Sequence, residues 1–145
     1  MTKIYLASSW KNEETVKHIA DLLRNVGHEI DAFCDQSNGR FVFNFDQLSN
    51  TEEMNAQTVL KESIVQRAFA EDKKWLDWAD GCLLILPSGK SAHLEAGYAK
   101  GKGKFLIIYQ EEFPKGEFDV MYGFADLVTD DFNEVIRFLE RKTTV

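Results

Sequence analysis

The chain has 145 residues, 44% of them apolar and 11 of them phenylalanine, which is enough to fill a packed core and excludes a disordered chain. Its 24 acidic residues against 17 basic ones give a net charge of −7. That balance argues against a general binder of nucleic-acid polymers, whose affinity rests on a basic face, but not against a small anionic substrate met by a local basic pair.

The N-terminal stretch MTKIYLASSW lacks the long apolar run of a signal peptide, and no segment approaches transmembrane length. The expectation is a soluble, cytoplasmic protein without a membrane partner, with one domain over residues 1–145. Lys3 to Ala7 reads as a short buried strand closed by Ser8 and Ser9. Asn12 can cap a helix whose apolar positions Val16, Ile19, Ala20 and Leu23 follow helical spacing and which ends at Gly27. HEIDAFC is a second strand, and Asp35 to Asn50 is a long polar and aromatic loop. A helical region starts at Asn50 or Thr51 and runs to about Ala79, with a break expected near Ala70.

GCLLILP gives the strongest strand signal, apolar throughout, as a central parallel strand covered on both faces requires. Ser91 to Gly101 is a helix, KFLIIY a further central strand, Gly116 to Gly123 a short helix, DLVT an edge strand and Asp131 to Arg141 a closing amphipathic helix. This alternation predicts an α/β fold: a flavodoxin-like, doubly wound sheet of about five mostly parallel strands with helices on both faces. Ligands in such sheets bind beyond the carboxyl ends of the strands. That rule selects Ala7–Lys11, Pro87–Glu95 and the loop after Cys34.

Gly89-Lys90-Ser91 is not a phosphate-wrapping P-loop, because the required earlier glycine position is Leu84, in mid-strand. Gly97, Gly101 and Gly103 do not form the dinucleotide fingerprint either. Ala92, Ala96, Ala99 and Gly103 instead make a small-residue stripe for close helix–sheet packing.

Glu95 then stands out. With Ser91 as the helix cap, it lies about one turn in, on a face shared with Ser91 and Tyr98. It is either an ordinary carboxylate near a helix start or a nucleophile held ionised and aimed at the crevice, and position alone leaves both open. Asp80, at the amino end of the central strand, reads as a turn residue, and Asp72 by itself as a surface residue. His18, His28 and His93 have no metal-ligand spacing, so no metal and no cofactor is expected; His93 does lie where it can touch a ligand. Ser9 has no His–Asp pair near it. Cys34 and Cys82 sit in apolar runs and read as reduced core thiols.

IYLASSW, followed much later by DWADGCLLILPSGKSAHLEAGYAKGKGKFLIIY, resembles the nucleoside 2-deoxyribosyltransferase family, which includes the deoxynucleoside 5′-monophosphate N-glycosidases. The matching segments cover about a third of the chain, and Glu-x-Gly-Tyr-Ala is their most specific part. The resemblance implies that Glu95 attacks the anomeric carbon of a nucleoside or nucleotide, forming a glycosyl ester that water or a second base then resolves with retention. It further implies that Asp72 contacts or protonates the base, and that Tyr5 orients the nucleophile. Ser8, Ser9, Trp10, Lys11, Gly89, Lys90, Ser91 and His93 make up the implied substrate-binding set.

The turn PSGKSAH departs from the transferases, which often carry an additional acid there. With Lys11, Lys90 and Ser91 nearby, it suits a 5′-phosphate better than a bare hydroxyl. Trp10, by contrast, is more like the transferases. Family members are typically dimers or larger, so a homodimer or higher homo-oligomer is implied, with Met121 or Tyr122 completing a neighbour's site. Two other functions compete: a non-catalytic nucleotide-sensing module on the same fold, and an NAD glycohydrolase of TIR-like type. A purely structural role is the remaining alternative.

Overall fold

The computed structural model describes residues 1–143. Five short runs, β1 (Lys3–Ala7), β2 (Glu29–Ala32), β3 (Gly81–Ile85), β4 (Phe105–Tyr109) and β5 (Leu127–Thr129), form one parallel sheet in the order β2-β1-β3-β4-β5. This is the doubly wound order that the strand–helix alternation predicts. Helices α1 (Glu13–Asn25) and α5 (Phe132–Thr143) cover one face, and α3 (Ser63–Trp78) and α4 (Lys90–Gly101) cover the other. A short α2 (Ala56–Val59) precedes α3.

Strand side chains alternate between the two faces. Ile4, Leu6, Ile30, Leu83, Ile85 and Ile107 meet Val16, Leu23, Val135 and Leu139 from α1 and α5. Tyr5, Ala7, Cys82, Leu84, Leu106 and Ile108 meet Trp75, Leu76, Ala92, Ala96 and Ala99 from α3 and α4. Each buried Leu or Ile contributes about 1.5–3 kcal/mol, so both layers are firmly seated. The register sets Tyr5 directly between Asp31 on β2 and Cys82 on β3. A row on the α3/α4 face therefore begins with a buried carboxylate, at a position where a strand covered on both faces usually carries an apolar residue.

Several boundaries differ from the sequence reading. The helical region is not broken near Ala70: α3 runs unbroken through it, and the interruption falls earlier, between Val59 and Ser63. The short helix before that interruption has its own start, where the Asn55 side chain accepts from the amides of Gln57 and Thr58 in a capping box. Helix α4 starts at Lys90 with Gly89 as its cap, so Ser91 lies in the exposed first turn and caps nothing. Gly103 does not extend the alanine stripe; it follows the end of α4 with φ +83°, the left-handed position that closes a helix. Gly27 does the same for α1 with φ +100°. Strand β2 is shorter than HEIDAFC, and the segment before β5 forms a 3-10 turn at Val120–Phe124. Asp80 is the turn residue expected at the amino edge, accepting from the Lys3 amide at 2.9 Å. Both cysteines are free and buried. Among the described residues no helix is long and apolar enough to cross a membrane.

Candidate active site

Beneath α4, the Tyr5 hydroxyl donates a short hydrogen bond to Glu95 Oε2. Tyr5 is held there by its strand, with 1% of its surface exposed. Glu95 is set by the alanines of α4, whose small side chains let the helix lie close on β3 and β4. Asp72 joins them from α3. It falls on the stripe of Val65, Trp75 and Leu76 that faces the sheet, an inward position that the helical spacing already contained. Its charge is close enough to raise the pKa of both Tyr5 and Glu95.

Electrostatics separate the three groups. Burial, then the charges of Glu95 and Asp72, hold the Tyr5 hydroxyl well above its ordinary range, so it remains a donor. Burial first, and then the charge of Asp72, push the Glu95 carboxyl up to about 8, against the opposing effects of the Tyr5 hydrogen bond and Arg40. The helix start does not hold Glu95 ionised. The carboxyl lies beyond the first turn, where the helix dipole fades, and desolvation prevails. Asp72 is also raised by burial, in part offset by Arg40.

Arg40 was not visible as a site residue in the sequence. It comes from the long loop after β2, yet its side chain is only 3% exposed. Nη1 lies 2.8 Å from Asp72 Oδ1, and Nε lies 3.3 Å from Asp31 Oδ1. Burial pushes Asp31 up to about 7 although Arg40 counteracts it. A charged residue in mid-strand was the signal available for Asp31. For Arg40 there was none, because a loop cation acquires its burial only through tertiary contacts.

No protein-family model and no curated protein matches the chain. Among solved structures it is similar to a 2-deoxyribosyltransferase from the psychrotolerant bacterium Bacillus psychrosaccharolyticus, with a TM-score of 0.63 and 21% identity over 92% of this chain and 89% of that one. It is also similar to the Clostridium botulinum CMP N-glycosidase BcmB, with a TM-score of 0.56 and 13% identity over 95% of this chain and 98% of that one. The chain has the fold of these enzymes.

On that fold the other residues expected at the site divide into two groups. Ser8 and Asn12 clamp the carboxyl ends of β1 and β3: Ser8 Oγ donates to the Ile85 carbonyl at 2.7 Å, while Asn12 Nδ2 donates to Ser8 Oγ at 3.0 Å and to the Pro87 carbonyl at 2.5 Å. Ser9 accepts from the Lys11 amide at 3.1 Å, and Trp10 packs edge-on against Phe33 at 5.2 Å. These contacts shape the crevice wall and occupy both serine hydroxyls. Lys11, Gly89, Lys90 and Ser91 remain exposed at its mouth.

His93 is not brought together with Glu95. Two residues along a helix point to nearly opposite sides. The His93 ring instead contacts the Gly89 carbonyl at 2.7 Å and the Tyr122 hydroxyl at 3.1 Å, and it stacks on the Tyr122 ring. Both line a cavity of about 410 Å³ with Met121 and Phe124 on the other flank of α4. Tyr122 is thus engaged within its own chain, while Met121 is 57% exposed beside Phe118 and Val120. A larger groove of about 640 Å³ lies on the α1 side, lined by Asn12, His18, Pro87 and Phe132, and includes none of Tyr5, Asp72 or Glu95. Among the described residues no group of His, Cys, Asp and Glu is arranged to hold a metal ion.

Proposed function

We propose that the protein cleaves the N-glycosidic bond of a 2-deoxyribonucleoside or its 5′-monophosphate, with Glu95 as nucleophile. The observation that carries this reading is the buried Tyr5–Glu95 hydrogen bond with Asp72 beside it, on the fold of a deoxyribosyltransferase and an N-glycosidase. The ionised Glu95 carboxylate attacks the anomeric carbon as the bond to the base breaks. Asp72, ionised beside Arg40, accepts a hydrogen bond from the departing base, which takes its proton from solvent. Water, or a second base, then attacks the glycosyl ester from the other face and returns Glu95, with configuration retained. Tyr5 donates to the carboxylate throughout and keeps one oxygen aimed at the sugar.

The raised pKa of Glu95 has a direct consequence. In the free protein near neutrality the nucleophile carries a proton, so kcat/KM rises with pH toward about 8. Lys11 and Lys90 form no ion pair with any described residue and are the natural contacts for a 5′-phosphate. The exposed apolar surface at Phe118, Val120 and Met121 suits a second copy of the chain in a homodimer.

The test is incubation with a panel of nucleosides, their 5′-monophosphates and NAD, with free base read by chromatography. Base release by the wild type, lost in Glu95→Ala while nucleotide binding persists, supports the reading. Unchanged turnover in Glu95→Ala overturns the assignment of Glu95. Release of nicotinamide alone reassigns the substrate to NAD, and tight binding without release makes the protein a sensor.

A further inference from the structure

The chemistry above makes no use of Arg40 and Asp31, yet among the described residues they form the most enclosed ion pair, with side chains 3% and 1% exposed. Arg40 spans two carboxylates: Nη1 lies 2.8 Å from Asp72 Oδ1, Nη2 3.4 Å from Asp31 Oδ2 and Nε 3.3 Å from Asp31 Oδ1. The last approach is an ion pair too poorly aligned to be a hydrogen bond, and it leaves both atoms without a hydrogen-bond partner. A buried pair with incomplete hydrogen bonding gains little stability over an apolar replacement, so stability alone does not account for it.

The surrounding contacts show how firmly Arg40 is held. Asn38 Nδ2 donates to the Ile30 carbonyl at 2.8 Å, tying the loop to β2. The Phe41 amide donates to Glu71 Oε1 at 3.3 Å, and the Arg67 guanidinium lies 3.8 Å above the Phe41 ring, tying the same loop to α3. The loop thus delivers one fixed guanidinium between the strand carboxylate and the helix carboxylate. The Tyr5 hydroxyl from β1 touches Glu95, and the charges that act on it come from Asp31 on β2, Arg40 on the loop and Asp72 on α3, with the Cys82 thiol of β3 also within its field. Arg40 is the sole cation among them.

We propose that Arg40, anchored by Asp31, is a positioning residue that holds Asp72 in place at the leaving base and balances the negative charge facing Glu95. The proposal rests on the reading of Glu95 and Asp72 given above. It makes Asp31 and Arg40 act on Glu95 in opposite directions, which a purely structural pair would not do. Removing the cation makes Glu95 harder to ionise, and removing the Asp31 carboxylate makes it easier.

The experiment compares wild type, Arg40→Met, Arg40→Lys and Asp31→Asn by carbon-13 NMR titration of the Glu95 carboxyl, alongside the pH profile of base release. The Glu95 midpoint is expected to rise by about one unit in Arg40→Met, to fall in Asp31→Asn and to be restored toward wild type in Arg40→Lys. The acidic limb of kcat/KM should follow the same order. Should Arg40→Met fail to fold, the downward shift in Asp31→Asn and the near-normal midpoint of Arg40→Lys still decide the matter. Unmoved midpoints, or shifts in the same direction for Arg40→Met and Asp31→Asn, overturn the proposal. A wild type that releases no base from any substrate defeats the catalytic reading and with it the role at the leaving base, while opposite shifts in the titration still establish the charge balance.

Discussion

At the level of single residues, the contact between Tyr5 and Glu95 makes the sharpest demand. The tyrosine hydroxyl is a neutral donor that favours the ionised carboxylate, and burial opposes it more strongly. Replacing Tyr5 with Phe keeps the ring volume and removes only the donor. The Glu95 pKa then rises further, and the ionised fraction below it falls about tenfold for each unit. The expected result is a loss of kcat/KM of about tenfold or more near pH 6.5 that shrinks as the pH passes 9. An equal loss at every pH would mean that Tyr5 acts only by shaping the pocket. Glu95 could be found in the sequence because a lone acid stood among small residues after the clearest strand. Its protonation could not, because that depends first on how deeply the fold buries it and then on the charges the fold gathers around it.

At the level of elements, the central strand was legible and the loop after β2 was not. GCLLI is apolar at every position, and only a strand covered on both faces tolerates that. The alanine spacing in α4 likewise announced a helix lying close on the sheet. Residues 33–55 carry no such periodicity, and they are held by contacts with distant residues, such as Arg40 with Asp72 and Phe41 with Glu71. Asp72 shows both sides: its helical spacing placed it inward, but only the true break before Ser63 made that spacing readable. The β3–β4 pairing carries a prediction of its own. Gly81 lies opposite Phe105, whose ring occupies the space a Cβ would need, with ring carbons 2.3 Å from that position. Gly81→Ala forces the ring against Phe138, its neighbour at 5.5 Å. The expected cost is about 1–3 kcal/mol in urea unfolding, the usual penalty for overpacking. Adding Phe105→Leu should recover part of it, and a Gly81→Ala protein as stable as wild type would contradict this packing.

At the level of the whole molecule, the buried acids set an unusual dependence of stability on pH. Asp31 and Glu95 have folded-state pKa values near 7 and 8, well above their ordinary range. Between roughly pH 4 and pH 8 the folded state therefore holds more protons than the unfolded chain, and stability falls as pH rises through that window. Glu71, Asp77 and Asp126 are shifted downward, and their contribution is lost only as the pH drops through the acid range. His28, lowered by burial, also favours the neutral form and disfavours acid. Together these signs place the maximum of stability on the acid side of neutrality, above the titration of the surface carboxylates and below that of Asp31. Thermal unfolding should show a Tm lower at pH 9 than at pH 6 by about 10 °C, the order of shift expected when about two protons leave the folded state over that range in a chain of this size. Asp31→Asn removes one of the two groups responsible and should flatten the alkaline slope. A Tm that climbs from pH 6 to pH 9 would mean that Asp31 and Glu95 are ionised in the folded protein, and that Arg40 compensates both.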